Sequence, residues 1–229
     1  MKALHVERGF SLVVAGFVAL FSIMTFAASG RADSAARPIR LIAFGDSLTA
    51  GYMLKPSESF ASQLEMALQA KGHKVRVINA GVSGDTTAAG LERLDWTLSE
   101  GADAVILELG ANDALRGIDP KETRANLDKM LMAIKAKGAD ILITGMKAPG
   151  NWGEDYVETF DAIFPDMAAK YAAPLYPFFL EGVALDPKLV LSDGLHPTAA
   201  GVAEIVKRIL PQAEALVARA ATRLALAKT

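Results

Sequence analysis

The sequence predicts an α/β domain in which helices cover both faces of a parallel sheet. Three observations carry this. Short apolar runs rich in β-branched residues recur along the chain, and the stretches between them repeat their apolar residues every 3.6 positions. No linker is long enough to divide the 229 residues into two cores. Near-continuous apolar strands are what a sheet buried on both faces requires, because such a strand has no side left for water.

Strands are expected at Ile39–Phe44, Val75–Ile78, Ala104–Leu109 and Ile141–Thr144, with a weaker one at Pro174–Phe178. Helices are expected over about 58–71, 86–99, 120–137, 155–171 and 198–226. The clearest is 120–137. Asp119 suits its N-cap, Pro120 presets its first turn, and Leu127, Met130, Leu131 and Ile134 make one stripe. Lys135, Lys137 and Gly138 then stop it. In the last segment Pro211 is expected to break the helix at Leu210, because proline lacks the amide proton and clashes with the preceding turn. Beyond it, Leu216, Val217, Ala220 and Leu224 form an inner stripe.

The N-terminus is a separate object. Lys2 and Arg8 precede a 20-residue uncharged run, Gly9 to Ala28, and small residues follow at Ala27–Gly30. Basic, apolar and small in that order is the pattern of a secretory signal, so residues 1–29 read as a leader cleaved near Ala27–Gly30. Twenty helical residues also reach about 30 Å, so an uncleaved anchor at 9–28 fits the same run. Residues 30–37 read as a short tether and 38–229 as the folded domain, working outside the cytoplasm, periplasmic or secreted. Membrane contact is expected only through the N-terminal segment. A net charge of −2 with no long basic run argues against nucleic acid as a partner. The absence of cysteine excludes disulfides, thiolate zinc sites and a cysteine nucleophile.

In an open parallel sheet, functional groups gather on the loops beyond the carboxyl ends of the strands. Those loops here are Gly45-Asp46-Ser47, "NAGVSGDTT" at 79–87, "GANDALRG" at 110–117, "KAPGNWGED" at 147–155, and "SDGLHPTAAG" at 192–201. A serine nucleophile needs a base within hydrogen-bond reach. Of three histidines, His5 lies in the leader, and His73 lies between Lys71 and Lys74 at the opposite end of a strand. That leaves His196. Asp193, three residues earlier, can set a carboxylate against Nδ1 and leave Nε2 free for a hydroxyl. Donors for an oxyanion could come from the Ser47 amide, the Gly84 amide and the Asn112 side chain. Each of these residues alone is also explained by turn-making: a cap, a positive φ angle, an Asx turn. Leu115, Met146, Pro149 and Trp152 could line an acyl groove that Gly117, Gly150 and Gly153 allow to move, though Trp152 could equally pack on the surface.

Taken in order, Gly45-Asp46-Ser47-Leu48, Gly84 in "SGDT", Gly110-x-Asn112-Asp113 and Asp193-x-x-His196-Pro197 resemble the sequence blocks of the GDSL, or SGNH, hydrolases over about residues 38–210. The longer runs "FGDSLTAGY", "SGDTTAAGLERL" and "LELGANDALRG" look like the bacterial group of periplasmic thioesterases, lysophospholipases and arylesterases. The resemblance implies a flavodoxin-like three-layer α/β/α fold with a five-stranded parallel sheet of order 2-1-3-4-5. It implies a serine esterase with Ser47 as nucleophile, His196 as base and Asp193 orienting it, with Ser47, Gly84 and Asn112 as the oxyanion hole. Leu115 and Pro149 would touch the acyl substrate, an ester, a thioester or a lysophospholipid. Neither a metal nor a cofactor is called for. A carbohydrate O-acetyl esterase or acyltransferase with the same triad, and a binding module without catalysis, are the competing readings.

Overall fold

The computed structural model describes residues 37–227. The expected leader, cleavage site and tether, up to residue 36, lie outside the described residues. Five strands form one parallel sheet in the order β2-β1-β3-β4-β5, as the resemblance implies. They are β1 Ile39–Gly45, β2 Val75–Gly81, β3 Ala104–Glu108, β4 Asp140–Thr144 and β5 Leu175–Tyr176. The register lines up their carboxyl ends: Gly45 pairs with Gly81 and with Glu108, Glu108 with Thr144, and Thr144 with Tyr176. One rim therefore collects the loops that carry the functional groups. β5 is only two residues long, because Pro174 and Pro177 bracket it and neither can donate to a ladder.

Eight helices connect the strands among the described residues: α1 Ser47–Ala50, α2 Phe60–Ala70, α3 Thr87–Thr97, α4 Ala111–Leu115, α5 Pro120–Ala136, α6 Glu154–Asp161, α7 Ile163–Tyr171 and α8 Ala199–Leu226. α2 and α8 pack together against β2 and β4, while α3, α5 and α7 form a second group. Between them Leu41, Ile42, Phe44, Ile106, Leu107 and Leu142 are fully or almost fully buried, as strands covered on both faces must be. α5 behaves as its sequence predicts. Asp119 accepts the Lys121 amide at 2.9 Å, and Leu127, Met130, Leu131 and Ile134 are all buried.

Two proline effects differ from expectation. α8 runs unbroken through Pro211. The proline is on the exposed side, and Ile205 and Ile209 before it and Ala213, Leu216 and Val217 after it are all buried in one stripe. Packing on both sides of the proline holds the two halves in line, so the expected break at Leu210 does not occur. The break falls instead within 155–171, where α6 ends at Asp161 and α7 begins at Ile163. Pro165 explains it: its ring opposes the carbonyl four residues back, which is that of Asp161.

Close approach decides the two glycines at the head of the sheet. A Cβ on Gly45 would lie 2.4 Å from Glu108 Oε2, and one on Gly81 would lie 2.2 Å from the Ala50 amide nitrogen. The turn of α1 is thereby pressed onto the ends of β1 and β2. Asp113, buried in α4, fastens the neighbouring loops: it accepts from the Thr87 amide at 2.8 Å, from the Thr87 hydroxyl at 2.5 Å and from the Thr123 hydroxyl at 3.1 Å. Replacing Asp113 by Ala strands these donors, with an expected loss of about 3 kcal/mol in urea melts and a fall in Tm of roughly 6–12 °C. A loss under about 1 kcal/mol would show that the donors find other partners.

Candidate active site

Ser47 is the first residue of α1, and Asp46 is its N-cap. The Asp46 carboxylate accepts the Leu48 amide at 3.0 Å, which closes the turn and sets the serine at the rim. The opposing group arrives from the segment before α8. Asp193 accepts the backbone amides of Leu195 at 2.9 Å and His196 at 3.0 Å on Oδ1. Its Oδ2 lies 2.7 Å from His196 Nδ1, and His196 Nε2 lies 2.9 Å from Ser47 Oγ. With the ring proton on Nδ1 and given to Asp193, Nε2 is left as acceptor for the serine hydroxyl. The loop is itself strapped: the Leu191 amide donates to the His196 carbonyl at 2.7 Å and Thr198 to Leu189 at 2.8 Å.

Electrostatics follow from the bonds. The backbone amides of His196 and Leu195, and then the imidazole, hold the Asp193 carboxyl down to about 2. It stays ionised at neutral pH, so it accepts from the ring and orients it. Asp46 is buried, and burial pushes its carboxyl up to about 6, against the lowering effect of the Leu48 amide and the Asn112 side chain. Asn112 Nδ2 donates one proton to Asp46 Oδ2 at 3.2 Å, and its amide has a second to give.

A groove of about 420 Å³ opens beside these groups, lined by Ser47, His196 and Asn112 together with apolar side chains that include Leu48, Met146 and Phe178. Leu115 and Pro149 are among its lining residues. Trp152 is not. Its ring lies over Gly117, where a Cβ would stand 2.8 Å from it, and 6.1 Å from the Tyr156 ring. Gly117 thus makes room for a tryptophan rather than for loop movement. Gly84 stands in the β2–α3 loop, outside the groove lining, with its carbonyl bound by Arg116 Nη2 at 2.9 Å. His73, set aside from the sequence, faces Glu214 at 3.3 Å.

The residues that lie under the serine carry no motif in the sequence. Glu108, at the end of β3, is fully buried; its Oε2 accepts the Thr49 hydroxyl at 2.7 Å and the Asp46 amide at 3.3 Å. Its one signal in the sequence is an acid inside the apolar run Ala104–Leu109. Tyr52 also borders the site; its ring centroid lies 4.4 Å from that of His196. Nothing local marks it except its place five residues after Ser47.

The arrangement can draw a proton from a hydroxyl and offer donors to a developing oxyanion, beside an apolar trough. Residues 43–203 match the GDSL-like Lipase/Acylhydrolase family. The chain is 41% identical over 181 residues to an arylesterase of Vibrio mimicus, covering 79% of this chain and 90% of that protein. It is 40% identical over 158 residues to thioesterase 1/protease 1/lysophospholipase L1 of Escherichia coli K12, covering 69% of this chain and 74% of that protein. The crystal structure of AlinE4, an SGNH-hydrolase family esterase, superposes with a TM-score of 0.67 at 48% identity, over 79% of this chain and 98% of its own. Sheet order, sequence blocks and these likenesses agree, and the chain belongs to the GDSL-like lipase/acylhydrolase family.

Proposed function

We propose that this GDSL-type serine hydrolase cleaves carboxylic ester and thioester bonds of acyl substrates through an acyl-enzyme on Ser47. The observation that carries the reading is the hydrogen-bonded run from Ser47 Oγ through His196 to Asp193, at 2.9 and 2.7 Å. His196 Nε2 takes the hydroxyl proton as Ser47 attacks the carbonyl. The oxyanion is met by the second amide proton of Asn112 and by the backbone amides of Ser47 and Gly84. On collapse, the proton held by His196 goes to the departing alcohol or thiol. Water then attacks the acyl-enzyme with His196 again as base, and the fatty acid leaves as Ser47 regains its proton. Asp193 stays ionised throughout and compensates the imidazolium.

The lining argues for the substrate. Leu115, Met146, Pro149 and Phe178 offer an acyl chain apolar contact, which favours medium-chain acyl groups over acetate and over acetylated sugars. The names of the arylesterase and the thioesterase/lysophospholipase relatives support aryl esters, acyl thioesters and lysophospholipids as the classes to assay. We also assign residues 38–229 to the hydrolase domain and 1–29 to an export leader that places the enzyme in the periplasm or outside the cell, on the basic–apolar–small order of that segment. Among the described residues no helix is long and apolar enough to cross a membrane.

Ser47→Ala is expected to leave a folded protein with turnover of a chromogenic ester down by at least about 10⁴-fold. Wild-type turnover in that variant would remove the serine from the reaction. Asn112→Ala, losing one oxyanion donor, is expected to lower kcat roughly 10²–10³-fold. In a series of p-nitrophenyl esters, kcat/KM is expected to rise about fourfold per methylene, from about 0.8 kcal/mol each, until the groove is full. Best turnover on acetate would instead favour the O-acetyl esterase.

A further inference from the structure

Two buried acids lie under the nucleophile turn, and the reaction described above uses neither. Asp46 and Glu108 have no exposed surface, and the Asp46 amide donates to Glu108 Oε2. Their oxygens are not equally served. Asp46 has a donor on each: the Leu48 amide on Oδ1 and Asn112 Nδ2 on Oδ2. Glu108 accepts from Thr49 Oγ1 and from the Asp46 amide on Oε2, while Oε1 is buried without a partner. A carboxylate with one bare buried oxygen is costlier than a neutral acid in the same place. The nearby charges do not relieve it. Asp85 and Arg93 pair with one another at 2.6 Å, and Arg93 also bonds the Gly45 carbonyl at 2.9 Å. His196 faces the serine.

We propose that Glu108 works as a neutral carboxylic acid, a positioning residue that holds the Ser47 turn through Thr49 and the Asp46 amide while Asp46 alone carries charge beneath Asn112. Burial and the neighbouring Asp46 charge both raise the Glu108 carboxyl well above its usual range, in the same direction as the geometry. The contact is tight on every side: a Cβ at Gly45 would meet Thr49 Oγ1, Glu108 Oε2 and the Glu108 carbonyl, all within 2.6 Å. The motif's glycine therefore exists to admit this acid. Through it, the end of β3 sets the height of the serine, and Asp46 sets the angle of the amide that meets the oxyanion. Glu108 touches no substrate; it acts through Thr49 and Asp46.

The proposal rests on Ser47 as nucleophile, but its direct test is independent of turnover. Infrared spectra at neutral pH should show the carbonyl band of a protonated carboxylic acid in the wild-type protein and lose it in Glu108→Gln. Kinetics supply the second reading. Glu108→Leu removes the acceptor and is expected to lower kcat about tenfold or more with KM within about twofold, whereas Glu108→Gln, neutral and still an acceptor, restores kcat to within about threefold of wild type. A wild-type protein without the acid band overturns the proposal, as does a Gln variant as slow as the Leu variant, or a Leu variant with wild-type kcat. Should Glu108→Leu not fold, the band and the Gln variant still decide. Activity surviving in Ser47→Ala would remove the nucleophile reading and leave the infrared result standing.

Discussion

A hydrogen bond of 2.9 Å between side chains 149 positions apart sets the terms for this molecule. Neither end can be adjusted alone. Ser47 is fixed by the stop of β1 and by the capped turn of α1, while His196 is fixed by the strapped loop that feeds α8. The parallel register makes the meeting possible, since it lines up the strand ends and lets loops from distant parts of the chain share one rim. Orientation of the ring is then a local matter. Asp193 is held by the amides of the two residues that follow its glycine, so the carboxylate and the imidazole it steers form one short rigid piece.

Three of the carboxylates under the rim are matched to donors. Asp113 ties α4 to α3 and α5, Asp85 ties Arg93 to the loop after β2, and Asp46 ties the serine turn to Asn112. Each carboxylate joins two elements whose relative placement matters for an acyl-transfer site, and in a medium of low dielectric such bonds are stiff. Glu108 differs from these carboxylates in having one oxygen left over, which is why its protonation state bears on the geometry above it.

Much of this was legible in the sequence, for physical reasons that differ from element to element. Strands buried on both faces announce themselves as apolar runs, and α5 carried its cap, stripe and stop in order. The prolines were not readable in the same way. Pro165 and Pro211 are chemically identical breakers, yet one divides a helix and the other does not, because the outcome depends on which face is solvated and on what packs either side. Elimination and spacing made Ser47, Asp193 and His196 candidates only, each open to a turn-making explanation, and it was the resemblance of the ordered sequence blocks that implied their roles. Trp152 was undecidable, since an aromatic in a loop has no periodicity to show which way it packs. Glu108 was hidden by the strand it terminates: an acid inside the expected strand Ala104–Leu109 does not show what it meets, and only its pairing with Gly45 and its burial reveal that it lies under the serine turn.

The far edge of the sheet has its own consequence. Arg37, the first described residue, binds Asp103 with both guanidinium nitrogens, and Arg223, near the end of α8, donates to the Asp103 carbonyl at 2.8 Å. Asp103 precedes β3, so both ends of the folded body close on the amino side of the strands, across the full depth of the sheet from the groove. Anything joined at either end, a resin linker or a fused carrier, departs from the back of the enzyme. Immobilised that way, the protein presents its mouth to the bulk liquid.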